Sequence, residues 1–246
     1  MEKLKNKIAL VTGGSRGIGA AIVKKLASEG AHVSFTYAKS PEKAALLSDT
    51  LQEAGKQVNA IHADSADPQA VTKAVQQVIS SFGRIDILVN NAGIYIGRPF
   101  EEHTLEDYEQ IMNVNVRALY VASLEVVKNM PNGGRIINIG SNMAENALSA
   151  QTTLYTMSKS ALTGFTRGLA RDLGQRKITV NVVQPGPIDT DMNPANTELA
   201  DFLRSRMALS DYGTGDDIAG LVAFLASDEG KYITGTSLTI DGGLNA

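Results

Sequence analysis

A doubly wound α/β fold, with one seven-stranded parallel sheet and helices on both faces, is predicted by three observations. Short β-branched runs alternate with helix-period segments almost to the end of the chain, a continuous apolar run opens the pattern, and a glycine cluster joins that run to the first helical segment. Strands separated by helices lie parallel, because right-handed crossovers carry the helices over both faces of the sheet.

The elements follow in order. Ile8-Ala9-Leu10-Val11 is apolar throughout, as a strand covered on both faces must be. Residues 13–19 form the glycine-rich turn, and the helix after it ends near Glu29 with Gly30 in the stop position. Val33 to Tyr37 reads as the second strand and Val58 to Ile61 as the third. From Val71 to Phe82 the apolar positions are 71, 74, 75, 78, 79 and 82, one stripe of a helix. Ile87 to Val89 is the fourth strand. Thr104-Leu105-Glu106-Asp107 has the form of a capping box opening one long helix towards Lys128. Ile136 to Ile139, Ile178 to Val183 and Ser237 to Ile240 complete the strands, with helices near 153–174 and 216–226. No composition break or repeat divides residues 1–246, so a single domain is expected. The least regular stretch, about 186–212, is too long for an ordinary connection and is expected to be a substrate lid.

Composition narrows the function. The 246 residues are 43% hydrophobic and 20% charged, ordinary for a chain with a packed core. A net charge of −3 gives no general attraction to nucleic acid or to anionic membranes, so neither partner is expected. With no cysteine, disulfides, thiolate metal sites and cysteine nucleophiles are excluded. His32, His62 and His103 are scattered without ligand spacing, and no metal site is expected. The opening MEKLKNKIALVTGG lacks a signal-peptide pattern, and no apolar stretch approaches the roughly 20 residues of a membrane span. The expected location is the cytoplasm.

Thr12-Gly13-Gly14-Ser15-Arg16-Gly17-Ile18-Gly19 lies where a strand meets a helix. Glycines there let the backbone approach a pyrophosphate, which rests on the helix N-terminus. The spacing is G-x-x-x-G-x-G, and its context predicts a dinucleotide site. The end of the second strand, where an NAD site carries an acidic residue for the ribose 2′-hydroxyl, holds Tyr37, Ala38, Lys39 and Ser40 instead. Arg16 and Lys39 are candidates for a 2′-phosphate, with Ser40 donating a hydrogen bond, so NADPH is the expected cofactor.

Tyr155-Thr156-Met157-Ser158-Lys159 opens a helical stretch and puts Tyr155 and Lys159 on one face, one turn apart. Gly140-Ser141 ends a buried strand, and strand C-terminal ends are where doubly wound sheets bind ligands. The set TGGSRGIG (12–19), NNAG (90–93), Asn115 within NVNV, Ser141, YTMSK (155–159) and PGPIDT (185–190), closed by TGTSLTIDGG, resembles the short-chain dehydrogenase/reductase family over essentially the whole chain. The glycine spacing and the length match its single-domain Rossmann branch, nearest the 3-oxoacyl-(acyl carrier protein) reductase-like set.

The resemblance implies roles. Tyr155 would protonate a carbonyl oxygen as hydride arrives from NADPH. Lys159, together with the oxidised nicotinamide, would stabilise the phenolate, since the phenol's ordinary pKa of about 10 must fall to be useful near neutrality, and would contact the nicotinamide ribose. Ser141 would hold the substrate oxygen, and Asn115, within a long helix, a water leading to solvent. Cofactor contacts carried over by motif are Gly13, Ser15, Arg16, Gly17, Ile18, Gly19, Tyr37, Lys39, Ser40, Asp64, Ser65, Asn91, Ala92, Gly93, Pro185, Gly186, Ile188 and Thr190. The pocket is expected to be lined by Asn142, Met143, Glu145, Ile94 and Tyr95, with Met192, Phe202, Leu203 and Met207 from the lid, which suits a small or medium ketone or aldehyde. Residues 127–132 carry one lysine, Lys128, and with Arg171 and Arg176 are the candidates for docking an acidic acyl carrier protein. A non-catalytic protein that sequesters or senses a nucleotide is the competing reading. Asp189, Asp191, Asp216 and Asp217 read as turn, cap and solvated positions. The family resemblance implies a homotetramer, for which the apolar C-terminal segment is the candidate contact.

Overall fold

The computed structural model describes residues 2–246. Seven strands, β1 (Ile8–Val11), β2 (His32–Tyr37), β3 (Val58–His62), β4 (Ile87–Asn90), β5 (Arg135–Ile139), β6 (Thr179–Pro185) and β7 (Ser237–Ile240), form one sheet in the order β3-β2-β1-β4-β5-β6-β7. Every pairing is parallel. The helices are α1 (Gly17–Ser28), α2 (Pro41–Glu53), α3 (Pro68–Phe82), α4 (Leu105–Met112), α5 (Ala118–Val127), α6 (Thr153–Leu173), α7 (Glu198–Arg204) and α8 (Gly215–Ala226).

The period-2 alternation of the buried strands builds two cores. Ala9, Val11, Val33, Phe35, Val89 and Val183 pack on one face against Leu26 of α1 and Val222 and Leu225 of α8. Leu10, Leu88, Ile136 and Val180 pack on the other against Val75 and Val78 of α3, Val126 of α5 and Ala170 of α6. Helix ends are fixed locally: Asp67 accepts from the Gln69 N–H at 2.8 Å ahead of α3, which stops at the left-handed Gly83. The expected capping box is present, with Thr104 and Asp107 bonding each other's backbone at 3.0 and 3.2 Å.

Two expectations are corrected. The helix expected from Thr104 to Lys128 is interrupted by a π-helical turn, Asn113–Arg117, whose extra residue per turn rotates Asn115 inward. Strand β6 also runs on to Pro185, which pairs with Ile240, whereas the expected strand ended at Val183. The β5 ladder ends at Val183, so a residue without an N–H is tolerated at 185. Within 186–212 the chain holds a bridge between Thr190 and Asn193 and the short helix α7, and the Leu209 N–H donates to Gly242.

Candidate active site

Strand order reverses between β1 and β4, so their carboxyl ends open a crevice. Its floor is cross-linked. The Thr12 hydroxyl accepts from the Asn91 and Ala92 N–H groups at 3.0 and 3.1 Å, and the Asn91 amide donates to the Thr12 and Gly13 carbonyls at 3.0 and 2.9 Å. Gly13 has φ +64°, and a Cβ on it would lie 2.9 Å from the Ala92 backbone. A Cβ on Gly19 would strike the Gly13 carbonyl and the Asn91 amide. Glycine at these positions lets the loop fold closely onto the ends of β1 and β4 ahead of the α1 N-terminus, the arrangement in which a pyrophosphate is cradled. The residues present fit a dinucleotide.

Around this cradle, Ser15 and Ile18 are half-buried and Arg16 is exposed. Tyr37 packs its ring on His62 at 5.4 Å, Lys39 is exposed, and Ser40 caps α2 without a side-chain bond. Asp64 accepts from the Ala66 N–H at 2.9 Å, with half-buried Ser65 beside it. Pro185 and Ile188 are buried, and Gly186 packs on the Asp241 backbone. The Thr190 methyl lies over Gly17, 3.3 Å from the position of a Cβ there.

The second cluster sits at the end of β5. Lys159 Nζ, 5% exposed, donates to the Ile139 carbonyl at 2.9 Å and lies 5.7 Å from the centre of the Tyr155 ring. Position 93 carries no side chain next to it: a Cβ on Gly93 would lie 3.3 Å from Nζ and 3.5 Å from the Asn115 side-chain oxygen. Asn115, 2% exposed, accepts from the Ile94 N–H at 2.9 Å and donates to the Ile94 carbonyl and to Ser158, both at 3.0 Å. The Ser141 hydroxyl accepts from the Met143 N–H at 3.2 Å and lies near enough to the Tyr155 phenol to favour its ionised form. Tyr95 meets Tyr155 edge-to-face at 5.2 Å.

The electrostatics depart from expectation. Burial pushes the Tyr155 phenol up to about 12; the Ser141 hydroxyl opposes this, and Tyr95 adds to it. Burial lowers Lys159 to about 8. In the free protein desolvation is the largest influence on the phenol, and the Lys159 nitrogen is turned to a backbone carbonyl; the expected acidification also calls on the oxidised nicotinamide of the bound cofactor.

Two further expectations change. Asn142 is buried against Asp241 and Asn245 at 3.4 Å, and the Asn245 amide bonds its carbonyl at 2.9 Å, so it anchors the C-terminal segment. The Arg176 guanidinium donates to the Val127 carbonyl at 3.0 Å and also to that of Met130, and Lys128 pairs with Glu125. These two docking candidates are engaged within the chain, whereas Arg171 is exposed. Asp191 is half exposed in a turn, as expected, and in addition pairs with both Arg16 and Lys43. The Thr12 and Lys43 contacts carry no local sequence signal, since their partners lie far along the chain.

The profile of the enoyl-(acyl carrier protein) reductase family matches residues 13–245. Among curated proteins, the chain is 47% identical to the cyclic-di-GMP-binding biofilm dispersal mediator protein of Escherichia coli (strain K12), over 98% of each chain. The structure of a blue fluorescent protein from a metagenomic library, solved in complex with NADPH, superimposes with a TM-score of 0.98 at 56% identity, covering 99% of this chain and 100% of that one. A short-chain dehydrogenase/reductase from Serratia marcescens matches with a TM-score of 0.98 at 55% identity and the same coverage.

Proposed function

The chain belongs to the short-chain dehydrogenase/reductase family, and on that premise we propose that it reduces a ketone or aldehyde to the alcohol with NADPH, Tyr155 acting as general acid. The observation that carries this reading is convergence. A phenol, a hydroxyl and an ammonium meet at the end of β5, beside a backbone cradle at the strand-order reversal.

When bound, NADPH would supply hydride to the carbonyl carbon and leave a cationic ring behind. Gly13, Ser15, Gly17, Ile18 and Gly19 would hold its pyrophosphate, Asp64 and Ser65 its adenine, and Asn91, Ala92, Gly93, Pro185, Gly186, Ile188 and Thr190 its nicotinamide half. Arg16, Tyr37, Lys39 and Ser40 would surround the 2′-phosphate.

Tyr155 holds its proton near neutrality, but burial, which raises the phenol to about 12, makes it a weak donor in the free protein, so effective donation needs the Lys159 ammonium and the cationic ring that the cofactor would leave to stabilise the phenolate. Its O–H bond breaks as the alcohol O–H forms, and the phenolate left behind is stabilised by the Lys159 ammonium. At a pKa of about 8 that lysine is still mostly charged at neutral pH, yet close enough to pass its proton on to the phenolate. Ser141 holds the substrate oxygen within transfer distance. Asn115 positions Lys159 and the 93–94 backbone, and its bonds to Ile94 fix the wall of the proton path. Residues 186–212 form the lid, and Tyr95 and Phe202 offer aromatic walls. Residues 1–246 act as one catalytic domain in the cytoplasm; among the described residues no helix is long and apolar enough to cross a membrane. A homotetramer belongs to the same proposal. It is supported by Tyr120 and Leu124, 52% and 53% exposed on α5, beside an apolar cleft of about 280 Å³ against α6.

Loss of NADPH absorbance with a panel of β-keto esters, aryl ketones and acyl thioesters tests the reading. No turnover of any member by protein that binds NADPH would overturn it. The E. coli relative's name favours a second reading, nucleotide binding without turnover. An intact Ser141, Tyr155 and Lys159 set weighs against that, and the same screen separates the two. Reduction of an acyl carrier protein substrate is a third reading, favoured by 37% identity to 3-oxoacyl-(acyl-carrier-protein) reductase FabG of Staphylococcus epidermidis over 97% of this chain; Arg171 is exposed for docking, while Arg176 and Lys128 are engaged within the chain.

A further inference from the structure

One carboxylate oxygen links three distant parts of the chain. Asp191 Oδ2 lies 2.6 Å from Lys43 Nζ, in the first turn of α2, and 3.4 Å from Arg16 Nη1, in the glycine loop. Among the described residues neither cation has another ion-pair partner. Two cations aimed at one point repel each other unless an anion sits between them, so the position is built for an anion. The pair joins the glycine loop to the first turn of α2, the helix that follows β2, on the side of the crevice where a doubly wound sheet holds the adenosine ribose of a dinucleotide. The flanking chain supplies the lever: Asp191 follows Thr190, whose methyl already covers Gly17.

We propose that Asp191 is an internal competitor for the 2′-phosphate of the cofactor, occupying in the free protein the anion position that Arg16 and Lys43 form, and that Lys43 is a ligand of that phosphate. The inference rests on the NADPH reading. Sequence reasoning placed Arg16, Lys39 and Ser40 near the phosphate. Lys39 is exposed and makes no ion pair among the described residues, whereas Lys43 already holds an anion there. A carboxylate and a phosphate repel each other, so Asp191 must withdraw when a 2′-phosphate enters, and it has no need to withdraw for a ligand with a plain 2′-hydroxyl. Withdrawal frees the chain at residue 191, the lid end nearest the cofactor. Cofactor choice and lid mobility thus share one residue. The linkage is a modest one, because all three side chains are half exposed and screened by solvent and salt.

Calorimetric titration of the full chain with adenosine 2′,5′-bisphosphate and with 5′-AMP isolates the phosphate without turnover; NADPH and NADH titrations repeat it on whole cofactors. Asp191→Asn is expected to tighten the bisphosphate and NADPH about three- to tenfold while 5′-AMP and NADH change less than about twofold. Lys43→Gln is expected to weaken the bisphosphate about tenfold with 5′-AMP unaffected. If Asp191→Asn leaves the bisphosphate unchanged or weakens it, the competitor role is overturned; if Lys43→Gln affects both ligands alike, the ligand role is. A wild-type protein that binds bisphosphate and 5′-AMP equally would overturn the NADPH reading itself, an outcome distinct from either variant's failure.

Discussion

Replacing Lys159 by methionine is expected to abolish reduction and yet make the fold more stable at pH 7. Burial lowers this lysine from 10.5 to about 8, so at neutral pH the fold holds an ammonium that it disfavours. At 1.36 kcal/mol per unit the difference is about 3 kcal/mol. Methionine removes that penalty and also the bond to the Ile139 carbonyl, a loss of about 1–2 kcal/mol. The net gain is about 1–2 kcal/mol. The pH dependence identifies the cause. Because the folded value lies below the unfolded one, the unfolded chain binds more protons between pH 8 and 10.5, and wild-type stability attributable to Lys159 rises through that window. Methionine has no such window, so its advantage shrinks by about 2 kcal/mol between pH 7 and pH 9.5. Urea unfolding of both proteins at the two pH values, at one fixed protein concentration, measures this. A Lys159→Met protein less stable at pH 7, or a gap unchanged by pH, would refute the reasoning.

Tyr155→Phe is expected to lower kcat by about 10²–10⁴ while NADPH affinity changes less than about threefold, read by single-turnover kinetics and by titration. Asn115→Leu leaves the Ile94 N–H and carbonyl without partners in a buried site and is expected to destabilise the fold by about 2–4 kcal/mol in urea. Gly19→Ala drives a Cβ into the Gly13 carbonyl and is expected to weaken NADPH binding at least about tenfold, checked by fluorescence titration. Leu124→Glu, on the exposed face of α5, is expected to lower the mass seen by light scattering; an unchanged mass removes that face from the proposed tetramer.

What the sequence made legible was set by the range of each signal. The strands were readable because their apolar runs answer to burial on both faces, and the capping box at Thr104 because both partners lie within four residues. The glycine loop was readable because its steric demand is local. The π-helical turn at Asn115 was not, since no residue type marks an i→i+5 bond, and the expected uninterrupted helix placed that amide with different neighbours. The Arg16–Asp191 pair joins residues 175 apart and Lys43–Asp191 residues 148 apart, so pattern within a window could not find them. The raised phenol of Tyr155 was missed because it comes first from burial, which a five-residue motif does not report, and the weak help from Lys159 for a related reason. Helical spacing gives the distance to Lys159 but not the direction of Nζ, which points to the Ile139 carbonyl.

The bonds that tie Thr12 and Asn91 across the strand-order reversal have a bearing on how such a chain can diversify. They involve only the ends of β1 and β4, so the bed of the crevice keeps its shape whatever residues cover it. The covering segment meets that bed through a threonine methyl and half-exposed ions, contacts that tolerate replacement. Substitutions between 192 and 209 can therefore reshape what is admitted while the nucleotide keeps its seat.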